Sequence, residues 1–416
     1  MSSRELERVE VMGRVKAGSL GIGDAAKLLE ISNRQAKRQW KRYREGGAAA
    51  LQHGSCGKHS NRGYAQGYRA AVMLRVRERY EDFGPTLAAE HLAQEGWGMS
   101  AETLRRWMRA AGIVSGARKR SAYRARRERK EHFGELVQMD GSFHDWLEER
   151  GGRGCLMHLV DDATSTALAL FSKEETTWDA ARLLRRWIEL YGVPRALYTD
   201  WKNVYVRGAT ESELRTGKVG RTQFGEMCAK LGIRIIAANS PQAKGRVERA
   251  HGTHQDRLVK KMRLAGIASY AEANRYLQEE YLGEHNRKYA IEAASSTDYH
   301  RRNPGKRQLD EVFWLEEERV VSGDWVVSYQ GKLLQLERQS RHYAPAKSRV
   351  RVRENEAGEI AIVYRGKKLR YARIGQRPVP PAAANHVSLA RKGHVIPSPH
   401  HPWRQSYKQP TINAAY

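Results

Sequence analysis

Apolar residues recur at helical spacing through the first 115 positions. Residues 4–17 put Val11, Met12 and Val15 on one side, which predicts a helix with Gly21 and Gly23 as its break. A short helix opening at Asp24 carries Ala26, Leu28 and Leu29. Ser32, with Gln35 three residues on, is a capping-box signature for the next helix. That helix buries Ala36, Trp40 and Tyr43 and displays Arg34, Lys37, Arg38, Lys41 and Arg42. Two short helices across a tight turn, the second of them basic, describe a helix-turn-helix. The pattern recurs without sequence identity. Residues 68–80 carry Val72, Val76 and Tyr80, Pro85 opens a helix with Leu87 and Leu92, and Gly96 and Gly98 make a turn. Ser100 then starts a helix with Leu104, Trp107 and Met108 apolar and Arg105, Arg106 and Arg109 basic. This predicts a second helix-turn-helix.

From Phe133 the period changes. ELVQMDGSF, CLMHLVDD, TALALFS, ALYTD and RIIAANS read as strands. Between them lie an amphipathic helix over 177–191 and a second in TQFGEMCAKLG, with a charged insertion loop at 201–221. Helices follow at 242–263 and 270–287. Strands followed by alternating helices and strands predict a mixed α/β layer. After Pro304, short alternating strands with Gly-containing turns predict a small β-barrel. Residues 377–416 hold seven of the twelve prolines and read as an extended tail. The expected architecture is therefore multidomain. Helix-turn-helix domains occupy 1–50 and 64–116, a linker 117–132, the α/β core 133–300, the barrel 305–375 and the tail 376–416.

Charge gives this layout a partner. Lys and Arg number 74 against 47 Asp and Glu, a net charge of +27 over 416 residues. Such an excess points to a polyanion, with nucleic acid ahead of a membrane surface. Residues 1–132 hold 28 basic against 14 acidic residues, so half of the excess sits in the first third of the chain. The stretch 117–130 holds eight basic residues and one acidic one, suited to tracking a DNA backbone as well as to a solvated linker. No apolar run reaches the roughly 20 residues of a membrane helix. Three cysteines without a CxxC pair exclude a disulfide scaffold and a four-thiolate zinc site. His53, Cys56 and His59 are read as a Gly-rich linker rather than a zinc site, and a reducing cytoplasm fits. P-loop and GxSxG motifs are absent.

Phosphoryl transfer with divalent ions needs carboxylates converging on one small volume, and oxygen ligands suit magnesium or manganese. Three acids stand out. Asp140 lies inside an apolar strand, on the face of Gln138 and Ser142 and opposite Val137 and Met139. A carboxylate there is costly unless ligated or hydrogen-bonded. Asp200 closes ALYTD. Glu248 sits on the helix after SPQAKGRVERAHG, with Ser240 as the expected N-cap and Pro241 at the first helical position. Gly245 and Gly252 leave its face bare, and Lys244, Arg246 and Arg249 surround it. Each acid has an ordinary alternative: a turn cap for Asp140, a loop acid for Asp200, a surface ion pair for Glu248. Asp161 and Asp162 are read as turn formers.

QMDGS, LYTD and NSPQAKGRVERAHGT, in this order behind helix-turn-helix segments, resemble bacterial insertion-sequence transposases with a retroviral-integrase-like core, the ISNCY-type group in particular. HYAPA and VYRGKKL are similar to the small β domain of these enzymes, so the resemblance spans roughly 20–375. It implies a ribonuclease-H-like core in which Asp140, Asp200 and Glu248 form a catalytic DDE triad binding two magnesium or manganese ions. The 47 residues between Asp200 and Glu248 exceed the gap in many relatives, and 201–221 accounts for the excess. It further implies binding of double-stranded DNA at terminal inverted repeats and target, 3′-end cleavage with strand transfer, a homodimer or higher oligomer on DNA, and a bacterial cytoplasmic, nucleoid-associated location. Arg34, Lys37, Arg38, Lys41, Arg105, Arg106, Arg109, Arg118, Lys119, Arg120, Lys244, Arg246 and Arg249 are the expected DNA contacts. The rival readings are a DNA-binding regulator with a dead nuclease-like core and a metal-dependent nuclease that never joins strands.

Overall fold

A computed structural model describes residues 2–54, 63–114, 127–217, 219–238, 245–338 and 344–376, with Ser398 and His401. Cys56, His59, Arg118, Lys119, Arg120, Ser240, Pro241 and Lys244, and nearly all of the tail, lie outside the described residues. The chain divides into two units, Met1–Lys119 and Arg120–Tyr416.

The described residues of the first unit form helices and turns. α1 spans Ser3–Lys16, with Val11 and Met12 buried, and ends before Gly18 at φ +75°. Gly21 and Gly23 do not break it: Gly21 is the N-cap of α2 (Ile22–Leu28) and Gly23 lies inside that helix. α2 buries Ala25 and Ala26, whereas Leu28 faces solvent. α3 (Asn33–Gly46) begins as expected, the Ser32 hydroxyl accepting the Gln35 N–H at 3.2 Å. Only Ala36 of its apolar face is fully buried; Trp40 and Tyr43 are half-buried and stack on each other. Arg34, Lys37, Arg38 and Lys41 are exposed.

α4 (Gln66–Arg79), α5 (Pro85–Gln94) and α6 (Ala101–Ala110) form the second helical module. Val72, Val76, Leu87, Leu92, Leu104 and Met108 are buried between them. Gly96, at φ +92°, lets the chain turn from α5 towards α6, and Ser100 caps α6 through the Thr103 N–H at 3.1 Å. Arg106 and Arg109 are exposed; Arg105 is half-buried and paired with Glu102. Trp107 is half-buried, with the Tyr64 ring edge-on at 5.3 Å.

The second unit is built on a five-stranded mixed sheet. Its strands are β1 (Val137–His144), β2 (Gly154–Asp161), β3 (Ala167–Ser172), β4 (Ala196–Thr199) and β5 (Arg234–Ala237). The order is β3-β2-β1-β4-β5. The first three are antiparallel neighbours; β4 is parallel to β1 and to β5. α7 (Thr177–Tyr191) connects β3 to β4 and buries Leu184, Trp187 and Ile188. The 201–221 segment carries a short helix, α8 (Glu211–Arg215), and α9 (Gln223–Lys230) leads to β5. α10 (Gly245–Leu264) is followed by α11 (Tyr270–Tyr276), a π turn over Leu277–Tyr281 and α12 (Leu282–Tyr289). These elements match the mixed α/β layer predicted, with helix boundaries displaced by a few residues.

α13 (Lys306–Val312) buries Leu309 and Val312 in the same core. The remaining strands are β6 (Leu315–Val320), β7 (Val326–Tyr329), β8 (Lys332–Leu336), β9 (Arg349–Glu354), β10 (Ile360–Tyr364), β11 (Lys367–Leu369) and β12 (Tyr371–Ile374). They pair as two open sheets, β11-β10-β9-β6 and β12-β8-β7, rather than as the closed barrel expected. Val327, Leu334, Val352 and Ile362 of the two sheets share one core. Alternation along a strand sets which side chains turn inward, but it does not decide whether the end strands pair.

Candidate active site

The strand register brings two of the predicted acids together. β1 and β4 pair in parallel with Val137 opposite Leu197 and Gln138 opposite Tyr198. Continued by two residues, the same offset sets Asp140 level with Asp200. A third carboxylate joins them. Asp140, Glu175 and Asp200 each offer an oxygen within 4.8 Å of the others. Glu175 precedes Thr176, the N-cap of α7, and its side chain is only 5% exposed.

Three neighbours fix this carboxylate. The Tyr205 hydroxyl donates to Glu175 Oε1 at 2.6 Å, and the Lys202 ammonium donates to Oε2 at 2.5 Å. Gly141 supplies the room: a Cβ there would lie 2.7 Å from Glu175 Oε2 and 2.9 Å from Cys155 Sγ. The same ammonium lies 3.2 Å from Asp200 and 3.8 Å from Asp140. Burial works against the Lys202 charge. The hydrogen bond to Glu175 and the attraction of Glu175, Asp200 and Asp140 outweigh it, and the group titrates above the usual lysine range. Burial and the Glu175 charge likewise push the Tyr205 phenol well up, so it remains a hydrogen-bond donor.

α10 is pinned to β1 on the face that carries Asp140. The Val247 N–H donates to Gln138 Oε1 at 3.2 Å, and Gln255 Nε2 donates to Ser142 Oγ at 3.1 Å. Asp140 lies midway between these two anchors along β1. Glu248 stands next to Val247 and is exposed, with open space at Gly252. It is not among the acids that converge on Asp140.

Asp161 and Asp162 behave differently from each other. Asp161 forms the turn expected, accepting the Thr164 and Gly134 N–H groups at 2.8 and 3.0 Å. Asp162 is fully buried and serves as a junction. It accepts Gln138 Nε2 at 2.7 Å, the Lys130 N–H at 2.9 Å, Arg246 Nη1 at 2.8 Å and the Arg127 guanidinium. Arg246, expected on DNA, is therefore committed inward with its side chain 9% exposed, whereas Arg249 faces solvent. A buried charge is tolerable only when paired in this way. No single position of the sequence signals the junction, since its members come from four separate segments.

Beneath α10 lies a group of histidines. His254 Nε2 is 3.2 Å from His158 Nε2, and its Nδ1 is 2.9 Å from the Tyr281 hydroxyl. His251, His285, Tyr289, Arg257 and Glu284 complete the surroundings. Desolvation, followed by the neighbouring histidines, holds His158 and His254 well below the usual range; desolvation and Arg257 hold His285 down to about 4. The unfolded chain binds protons near pH 6.5 where the folded one does not, so stability is complete above that pH and lost as pH falls towards 4. The slope is about 1 kcal/mol per pH unit for each such group. Thermal unfolding at fixed salt should show a midpoint that drops from pH 7 to pH 5; a flat profile would contradict neutral buried histidines.

The donor set suits a hard divalent cation: carboxylate oxygens only, converging where an ammonium already sits. No described helix is long and apolar enough to cross a membrane.

Comparison with known proteins gives the context. A helix-turn-helix domain profile matches residues 7–59. The Sinorhizobium fredii protein "Putative transposase y4bF" is 38% identical over 374 residues, covering 89% of this chain and 81% of the relative. The transposase for insertion sequence IS1202 of Streptococcus pneumoniae is 26% identical, covering 97% and 94%. Among solved structures, the HTLV-2 integrase catalytic core domain in complex with magnesium is 18% identical with a TM-score of 0.27, covering 35% of this chain and 83% of that one. The simian T-cell lymphotropic virus intasome is 15% identical with a TM-score of 0.32, covering 73% and 99%. Both are too distant to define a site. The identity to the Sinorhizobium protein, sustained over most of both chains, settles the family: this chain belongs to the bacterial insertion-sequence transposases.

Proposed function

We propose that this transposase binds the terminal inverted repeats of its element, cleaves their 3′ ends and joins them to target DNA. The observation that carries the reading is the convergence of Asp140, in β1, with Asp200, one residue past the parallel strand β4, and with a further carboxylate beside them. Asp140, Asp200 and Glu248 are the metal ligands in this reading, Glu248 by its place in SPQAKGRVER and by the pinning of its helix beside Asp140. Glu175 is held on both oxygens by Tyr205 and Lys202 and serves as a supporting carboxylate. Two magnesium or manganese ions, when bound, supply Lewis-acid polarisation of the phosphate and a more acidic attacking hydroxyl.

The chemistry is two displacements at phosphorus. A water oxygen bonds to phosphorus at the element end while the bond to the 3′ oxygen breaks, freeing a 3′-hydroxyl. That hydroxyl then bonds to a target phosphorus and displaces a target 3′ oxygen. The division of labour follows the modules. The helix-turn-helix segments, over 1–50 and 64–116, read the ends with Arg34, Lys37, Arg38, Lys41, Arg106 and Arg109. The linker over 117–132, with Arg118, Lys119 and Arg120, and the two sheets over 305–375 hold phosphates. Arg249 and Lys244 serve DNA beside the core. Joining two ends to one target requires at least two copies.

The test uses purified protein, a labelled oligonucleotide of the element end, a target plasmid, and magnesium or manganese. Joined products are expected. Cleavage without joining favours a nuclease, and tight end binding without chemistry favours a regulator.

A further inference from the structure

Among the described residues, the Lys202 ammonium lies within 4 Å of all three carboxylates. Lys202 lies two residues beyond Asp200, and its backbone is fixed by a turn in which Tyr205 and Val206 donate N–H bonds to its carbonyl at 2.9 and 3.0 Å. The turn leaves the side chain lying across the site. Its Nζ meets Glu175, Asp200 and Asp140 at 2.5, 3.2 and 3.8 Å. Three carboxylates brought this close repel one another, and without a countercharge the arrangement is costly. The three contacts are unequal. The closest is to Glu175, whose other oxygen is held by the buried Tyr205. The looser two are to the aspartates that the function needs.

We propose that Lys202 is a built-in counter-ion which keeps Asp140 and Asp200 together before metal binds, and which metal binding displaces towards Glu175. The proposal rests on the reading of Asp140 and Asp200 as metal ligands. Lys202 and a divalent ion then compete for the same oxygens, and a displaced ammonium beside the centre still repels an incoming cation. Both effects weaken metal binding, so removing the ammonium strengthens it. A residue that merely supports the fold would have the opposite effect or none.

The experiment measures Mn2+ binding to metal-stripped, full-length protein by the electron paramagnetic resonance signal of free Mn2+. Lys202→Met is expected to bind Mn2+ at least tenfold more tightly than the unsubstituted protein. Its metal-free form should also unfold at lower temperature, with the difference closing at saturating Mn2+. Lys202→Gln, which keeps a polar end, should move affinity in the same direction and serves if the methionine variant folds poorly. Equal or weaker Mn2+ binding in a folded variant overturns the proposal. Asp200→Asn separates the two levels. If it keeps full Mn2+ affinity, the ion binds elsewhere and the ligand assignment fails together with the proposal. If it loses affinity while Lys202→Met gains none, only the counter-ion role fails.

Discussion

Asp200→Asn protein is expected to bind end DNA as tightly as the unsubstituted protein and to yield no detectable joined product, a loss on the order of a thousandfold or more. Asparagine keeps the shape of the side chain and its place after β4. It removes one negative charge and turns an N–H2 group towards the position that a cation needs. If Asp140, Asp200 and Glu248 hold the metal as proposed, the site then has one ligand too few to clamp attacking and leaving oxygens. The proposed function gives end recognition to the helical unit, which contains none of these residues. Parallel gel-shift and strand-transfer assays in magnesium and in manganese check both halves. Joining at the original rate would remove Asp200 from the site, and loss of end binding would show that the substitution acts through the fold.

Gly192→Ala carries the largest expected cost in stability. Gly192 ends α7 at φ +104° and ψ −178°, a conformation essentially reserved for glycine. An added Cβ would lie 2.7 Å from the Arg301 carbonyl oxygen and 3.0 Å from His300 Cβ. The next residue, Val193, exchanges two backbone hydrogen bonds with Arg301, both at 2.8 Å. The methyl group therefore meets backbone that cannot retreat without breaking that bridge. We expect a loss of about 3 kcal/mol or more. The melting midpoint should fall by roughly 6–12 °C. The chain runs from this bridge directly into β4, so strand transfer at 37 °C should fall with it and recover on cooling. An unchanged midpoint would mean that the α7–β4 connection relaxes in a way the geometry does not provide.

Legibility in the sequence followed the range of each signal. Caps are local: Ser32 and Ser100 start their helices where the sequence places them. Strand alternation is local too, and it put Asp140 on the face of Gln138 and Ser142, where contacts to α10 find those two neighbours. The pairing of Asp140 with Asp200 needed register, which a single strand does not carry. Glu175 was missed because the loop between β3 and α7 has no periodicity. Its only trace is an acid just before the helix-capping Thr176, a pattern with many ordinary explanations. The inward pairing of Arg246 is not legible in the sequence because its partner, Asp162, lies 84 residues away and reads as a turn former. Closure of the last strands into a barrel was over-read, since alternating residues suit a two-sheet core equally well.

The Asp162 junction changes how the protein's positive charge should be counted. Arg127 and Arg246 share the single carboxylate of Asp162, which offsets one of their two charges, and Arg129 donates to the Ala163 carbonyl at 2.9 Å. Arginines that donate to the chain in this way are held off the phosphates, and a cation that meets no phosphate releases no counterions when DNA arrives. Each lowers the steepness with which affinity falls as salt rises, by about 0.9 in the logarithmic slope. The titration with salt therefore reports fewer phosphates than the basic run after residue 117 would promise. It also becomes a gauge of the junction itself: a variant that opens it returns arginines to the DNA side, and its binding grows more sensitive to salt.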